Sequence, residues 1–248
     1  MNNGIALLAL ALVAPAVVGC GQSEKPYEPK PAYSGDKRPT MPPVPALPNK
    51  PKKDGDAYTI WGASHDLNSV VHGDDFKDKQ DVKITGYIVA TNYEALCADK
   101  MKPAPGEICV PECAVHEGGK ADPDGCKAPV PTFWIADDKA GDVKSAMRVM
   151  GWASNFAALY DVVKAIDKET DDAKKDAVEV MDKFFSVKIP VPLPIKGVKV
   201  KVTGSYGFNY SRSTAARQSD PFMGIMTYQS IEYVEKPTER AMLPGMKK

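Results

Sequence analysis

Apolar and polar residues alternate through Val82-Lys83-Ile84-Thr85-Gly86-Tyr87-Ile88-Val89-Ala90-Thr91, with Val82, Ile84 and Ile88 on the apolar phase. A period of two predicts a strand with one face on a core. Glycine weakens such a strand unless a bulge or a sharp bend needs it. A near copy returns as Val200-Lys201-Val202-Thr203-Gly204-Ser205-Tyr206. The pair predicts two long strands that bend at Gly86 and Gly204, crossing from one side of a small barrel to the other. Two unrelated strands that each hold a glycine are the plainer alternative.

Between and around these strands the pattern changes period. Tyr58-Thr59-Ile60-Trp61-Gly62-Ala63 predicts a short leading strand, and Phe133-Trp134-Ile135-Ala136 and Met147-Arg148-Val149-Met150-Gly151-Trp152 predict two more. Phe156, Leu159, Tyr160, Val163 and Ile166 then fall three and four apart, which is an apolar helical stripe. The stripe resumes at Ala177, Val180, Met181 and Phe184, so two helices, or one broken near Thr170, are expected. Ile189-Pro190-Val191-Pro192-Leu193-Pro194 lacks a donor at every second residue and predicts an extended connector, not a central strand. The second glycine strand runs from Val198 to about Phe208. A polar loop, Asn209 to Pro221, leads to a last strand from Gly224 to Val234.

Three strands, a helical insert and two more strands, with the first and fourth bent at glycine, resemble the oligonucleotide/oligosaccharide-binding (OB) fold. The expected class is therefore mainly β: a five-stranded OB-like Greek-key barrel with helices between strands three and four. The resemblance covers about Asp81 to Val234, and a generic β-sandwich is the competing fold.

The N-terminal end has another character. Ile5 to Val18 is apolar, broken only by Pro15, and is too short to span a bilayer but suited to a secretory signal. It runs into Val17-Val18-Gly19-Cys20, which resembles a bacterial lipobox. The resemblance implies a signal peptide over 1–19. It also implies a lipoprotein whose mature N-terminus is Cys20, held to a membrane by several acyl chains, palmitate among them. Met1-Asn2-Asn3-Gly4 departs from the pattern in having no Lys or Arg. Gly21 stands where an inner-membrane retention signal of enteric type has Asp, which points to the outer membrane of the cell envelope.

Prolines recur from Pro26 to Pro51, so residues 20–56 read as the lipidated cysteine and a semi-rigid tether. The folded domain is expected over 57–235 and a flexible tail over 236–248. Charge is uneven: the whole chain is formally neutral, while residues 57–235 carry a net −5. A mildly acidic body argues against phosphate-rich partners, so nucleic acid is not expected.

The loop over 92–131 holds Cys97, Cys109, Cys113 and Cys126 among many prolines and glycines. In an exported protein four such cysteines suggest two disulfides, and the short local pairings Cys97–Cys109 and Cys113–Cys126 are favoured. The alternative is a metal or small-ligand site built from Cys109, Cys113, His116 and Cys126, although that spacing matches no standard zinc knuckle.

Catalytic signatures are missing from the sequence. Ser64-His65-Asp66 shares only its letters with a triad, because adjacent side chains cannot line up as nucleophile, base and orienter. There are three histidines, no Gly-x-Ser-x-Gly and no His-Glu-x-x-His. A non-enzymatic protein with no cofactor is the expectation. In the OB fold the ligand face lies on strands two and three, between the first and last interstrand loops. The resemblance thus implies Trp134, Trp152, Tyr210, Arg212 and Arg217 as partner-binding residues, for an envelope protein or a glycan. Taken singly, the tryptophans also read as core and the arginines as solvated.

Overall fold

The structure is a computed structural model that describes residues 50–67, 81–98, 102–112, 115, 129–210, 218–220 and 222–246. Contacts along the chain separate 1–47 from 48–248, and every described residue lies in the second unit. Cys20, its lipobox and the tether up to residue 49 lie outside the described residues.

The described chain is mainly β. In order it forms β1 (Lys53–Asp54), β2 (Ala57–Tyr58), α1 (Ile60–Asp66), β3 (Val82–Thr91), β4 (Phe133–Ala136) and β5 (Met147–Met150). There follow α2 (Ala157–Lys168), β6 (Val180–Asp182), β7 (Val187–Ile189), β8 (Lys199–Gly207), β9 (Asn209–Tyr210), β10 (Gln218–Ser219) and β11 (Ile225–Tyr233). A seven-stranded mixed sheet runs β1-β2-β3-β4-β5-β11-β8, and β8 pairs back onto β3. Five strands therefore form a ring of pairings, antiparallel throughout except for β5 against β11.

Of the two glycine strands, β8 is paired on both sides, with β3 and β11, over residues 200–204, and β3 passes from one partner to another. β3 pairs with β8 from Val82 to Tyr87 and with β4 from Tyr87 to Thr91, so the exchange falls beside Gly86. A Cβ on Gly86 would lie 2.8 Å from the Ala136 carbonyl oxygen, and one on Gly204 would lie 2.0 Å from that of Thr227. Backbones approach there more closely than any side chain permits, which is why glycine interrupts an otherwise β-branched strand.

Inward residues of the ring make one core. Ile84, Ile88, Phe133, Ile135, Met147, Val149, Val200 and Val202 are fully buried. α2 lays Leu159, Val162 and Ile166 on that core, with Phe156 just before it. Tyrosine hydroxyls pin the proline connector and the strand before it: Tyr93 donates to the Pro194 carbonyl, Tyr233 to that of Pro192, and Tyr228 to that of Lys188 in β7 at 3.1 Å. The connector is not a central strand, as the sequence indicates, but it is not extended throughout: it leaves the short strand β7 and bends at Val191 and Pro192.

Four expectations are corrected. Tyr58 to Ala63 is not one strand, because α1 starts at Ile60. Thr59 Oγ1 accepts from Gly62 N at 2.9 Å, and the Asp137 carboxylate accepts from Ile60 N at 2.6 Å and Trp61 N at 3.0 Å. The orphan amides of the first turn are thus met partly by a residue 77 positions away.

The second helical stripe is absent. Asp172–Ala177 forms a 3-10 turn, and β6 and β7 form a hairpin. Asp182, only 3% exposed, accepts from Phe184 N at 3.0 Å and Phe185 N at 2.8 Å, which closes the hairpin and leaves Phe184 exposed.

Residues 51–56, assigned to the tether by their composition, belong to the sheet. β1 pairs with β2, the Lys52 carbonyl accepts from Thr59 N at 3.0 Å, and ion pairs join Asp54 to Lys199 (2.9 Å) and Asp56 to Lys83 (2.6 Å) and Lys201 (2.9 Å). These lysines hold both carboxyls below the usual aspartate range.

The tail to Met246 is packed. Ala241 and Leu243 are buried against the core, and Tyr160 on α2 donates to the Pro244 carbonyl at 2.7 Å. Met246 packs against the same core.

Candidate functional site

In β4, Phe133 and Ile135 face the core, so Trp134 faces out. In β5, Met147 and Val149 face in, so Arg148 faces out. The register pairs Trp134 with Arg148, and both are half-buried. These two side chains form the floor of a cleft of about 660 Å3. That volume is within the range of small-ligand sites.

The Cys-rich loop supplies one wall. Asn92 closes its base: its Nδ2 donates to the Val130 carbonyl at 3.0 Å, and its Oδ1 accepts from Thr132 N at 2.8 Å. Higher up, Cys97 and Cys109 are joined in a disulfide across a separation of 12 residues. Cys97 N donates to the Val110 carbonyl and Val110 N to that of Ala95, both at 2.9 Å. The disulfide and this short pairing hold Pro103, Glu107 and Ile108 against the cleft.

A second wall comes from the chain before β11. Asp220 Oδ1 accepts from Phe222 N at 3.0 Å and Met223 N at 3.1 Å, and its Oδ2 lies 3.4 Å from Arg148 Nε. Tyr206 braces the turn from behind, donating to the Met223 carbonyl at 3.1 Å. Its burial, with the Asp220 carboxylate adding to the effect, pushes the phenol up to about 12. Phe222 stands 76% exposed at the lip.

The residues expected from sequence fare differently. Trp134 lies in the cleft. Trp152 does not: it is fully buried, with its ring centroid 5.5 Å from Tyr93 and 5.8 Å from Phe133. β5 ends at Met150, and Gly151 at φ 82° turns the chain inward, so Trp152 is core. Tyr210 lies in β9, paired with Gln218, and its side chain is outside the described part. Arg212, Arg217, Cys113, His116 and Cys126 also lie outside the described residues.

The Cys97–Cys109 pairing agrees with expectation; of the alternative metal set only Cys109 is among the described residues, and its sulfur is in the disulfide. Glu107 Oε2 lies 3.6 Å from Cys109 Sγ, but with both sulfurs bonded to each other no thiolate remains there to ligate a metal.

Sequence reasoning missed Arg148, Asp220 and Phe222. Arg148 left a signal: it is the polar residue at the outward position of an otherwise apolar strand. Asp220 and Phe222 left none beyond membership of the last loop.

Among the described residues the lining holds no histidine or serine. Its carboxylates, Glu107 and Asp220, both accept backbone N–H groups, from Ala104 and from Phe222 and Met223. The arrangement is a mostly apolar surface with an aromatic floor and a fixed ion pair. Comparison with protein-family models, curated proteins and solved structures found no match to this chain.

Proposed function

We propose that this chain is a non-enzymatic lipoprotein of the bacterial cell envelope. Its OB-like domain holds a protein or glycan partner in the cleft over β4 and β5. Acyl chains on Cys20 would anchor it, with the outer membrane as its site. The OB reading is supported by the ring order β3-β4-β5-β11-β8, by the parallel β5–β11 pair and by α2 following the third ring strand.

One observation carries the reading. Trp134 and Arg148 stand side by side on the outer face of the second and third ring strands, with the disulfide loop and the Asp220 turn bordering them. This is the face on which OB domains bind their ligands. An aromatic ring beside a guanidinium is a common way of gripping a partner. The net −5 over 57–235 supports a partner other than nucleic acid.

Cross-linking in intact cells, followed by capture of the tagged full chain, tests this. The wild type is expected to retain a cross-linked species that Trp134→Ala loses. Identical species from both would sink the cleft as the partner site. Cys20→Ala is expected to move the protein from the membrane to the soluble fraction; retention in membranes would refute lipid anchoring.

A further inference from the structure

We infer that the turn of the β6–β7 hairpin dips into the surface of a lipid bilayer, with Phe184 and Met181 entering the boundary between headgroups and acyl chains. This rests on the reading of Cys20 as a lipid anchor and adds a second, weaker contact between the same chain and the membrane.

The hairpin sorts its residues by side. Asp182, Val187 and Ile189 are buried, whereas Met181 is 49% and Phe184 68% exposed. Phe184 does not fold back onto the body. Phe185 behind it packs against Met150 and Ile225, and the two phenylalanine rings meet edge to face with centroids 5.1 Å apart. A neighbour that is itself fastened thus holds the Phe184 ring outward.

Entry into lipid requires that backbone donors already have partners, because hydrocarbon offers none. The turn meets that condition at three successive amides. Phe184 N and Phe185 N donate to Asp182 Oδ1 at 3.0 and 2.8 Å, and Ser186 N donates to the Asp182 carbonyl at 2.8 Å. Asp182 Oδ2 accepts from Ser154 N at 2.6 Å, which ties the turn to the body. Asp182 is only 3% exposed, so the carboxylate that organises the turn is already out of water before the rings move.

Extent separates a lipid surface from a protein partner. Phe184 and Met181 together expose on the order of 200 Å2. A specific protein interface takes about 800 Å2 from each side. β6 and β7 are three residues each, too short to template a further strand. A bilayer asks for no complementary surface, only for apolar side chains at an exposed turn.

Charge adds little. Residues 179–188 hold Glu179, Asp182, Lys183 and Lys188, so the hairpin is formally neutral, and Lys188 pairs with Glu179. Lys183 can keep its ammonium among the headgroups while its methylenes follow the Phe184 ring. Burying one phenylalanine shifts a partition by roughly tenfold to a hundredfold. That is too little to hold a free domain. It suffices for one that an acylated cysteine keeps beside the bilayer, because the second contact of a tethered body is intramolecular.

Tryptophan quenching tests this, with the full chain purified from its membrane and reconstituted into phosphatidylcholine vesicles that contain a brominated phosphatidylcholine. Phe184→Trp is compared with the wild type, whose three tryptophans set the background, and with Val234→Trp. Val234 is 50% exposed and follows the far end of β11 from Ile225, against which Phe185 packs. Phe184 is so exposed that tryptophan in its place leaves the core unchanged. Phe184→Trp is expected to lose at least half of its added emission and Val234→Trp little, with no change in high salt. Protein that floats with the vesicles while the Phe184→Trp emission stays unquenched overturns the inference and spares the anchor. Protein that fails to float with them overturns both. Equal quenching of the two variants, or quenching that high salt abolishes, overturns insertion of the hairpin in favour of general adsorption.

Discussion

Arg148 Nε lies 3.4 Å from Asp220 Oδ2, joining the third ring strand to the turn that precedes the last one. Asp220 is 13% exposed at its side chain and accepts two further backbone N–H groups, so it fixes both the turn and the arginine. Its removal leaves two backbone donors without their acceptor and takes one ion pair from Arg148.

Asp220→Ala is therefore expected to destabilise the domain by about 2 kcal/mol, since each lost hydrogen bond costs about 1 kcal/mol and part of the site is open to water. Asp220→Asn keeps one oxygen for the turn and should lose less. Urea unfolding followed by tryptophan fluorescence measures both. Equal stability of all three proteins would show that the turn holds without the carboxylate.

The Cys97–Cys109 bond closes a short loop, and restricting the unfolded chain by such a loop is worth about 3 kcal/mol. Cys97→Ser should lower stability by about 2–3 kcal/mol and speed hydrogen exchange at Cys109 and Val110. Mass spectrometry of non-reduced peptides should find Cys97 joined to Cys109. Free thiols at both positions would contradict this wall of the cleft.

Gly204→Ala should be among the most damaging single changes. Its Cβ would lie 2.0 Å from the Thr227 carbonyl oxygen, which is main chain within the β8–β11 pairing and cannot swing aside. A loss of about 3 kcal/mol or more is expected, in the range of severe overpacking. Gly55→Ala has open space around its Cβ, although φ is 63°, and should lose only about 1 kcal/mol from the strained backbone. Thermal unfolding compares the pair, and a larger effect at Gly55 would contradict the close approach at Gly204.

Burial raises the phenols of Tyr93, Tyr206, Tyr228 and Tyr233, Tyr206 to about 12 from an ordinary 10.0. Above pH 10 the unfolded chain releases these protons while the native chain keeps them. The native state then binds more protons, so stability falls as pH rises. The contribution is complete below pH 10 and, for Tyr206, is lost as pH rises through about 12. Urea midpoints are expected to hold below pH 10 and drop steadily above it. Tyr206→Phe should flatten part of that slope, and a midpoint unchanged up to pH 12 would contradict the buried phenols.

What the sequence made legible followed from local pattern. The five ring strands and α2 announce themselves through apolar periods of two and three to four, and Gly86 and Gly204 mark real close approaches. What it hid depends on distant partners. Thr59-Ile60-Trp61 looks extended until Asp137 arrives to cap it. Val180, Met181 and Phe184 share helical spacing, but buried Asp182 turns them into a hairpin. Of the candidate site, Trp134 was readable from its fold position. Trp152 misled because a turn at Gly151 reverses the phase of the strand before it. Asp220 and Phe222 acquire meaning only once the ring brings their turn to Arg148.

The short hairpin at the start of the domain meets the ring through a single parallel register pair, Tyr58 with Ile84, and through exposed contacts of Asp54 and Asp56 with three lysines. A load applied at Lys50 would therefore strain that hairpin before any ring strand. Its ionic contacts are hydrated and can break and re-form singly, whereas ring strands part only as a set. The hairpin is thus expected to yield under tension before the ring strands do, with buried Ala57 and the Asp137 cap on α1 as the next points of resistance.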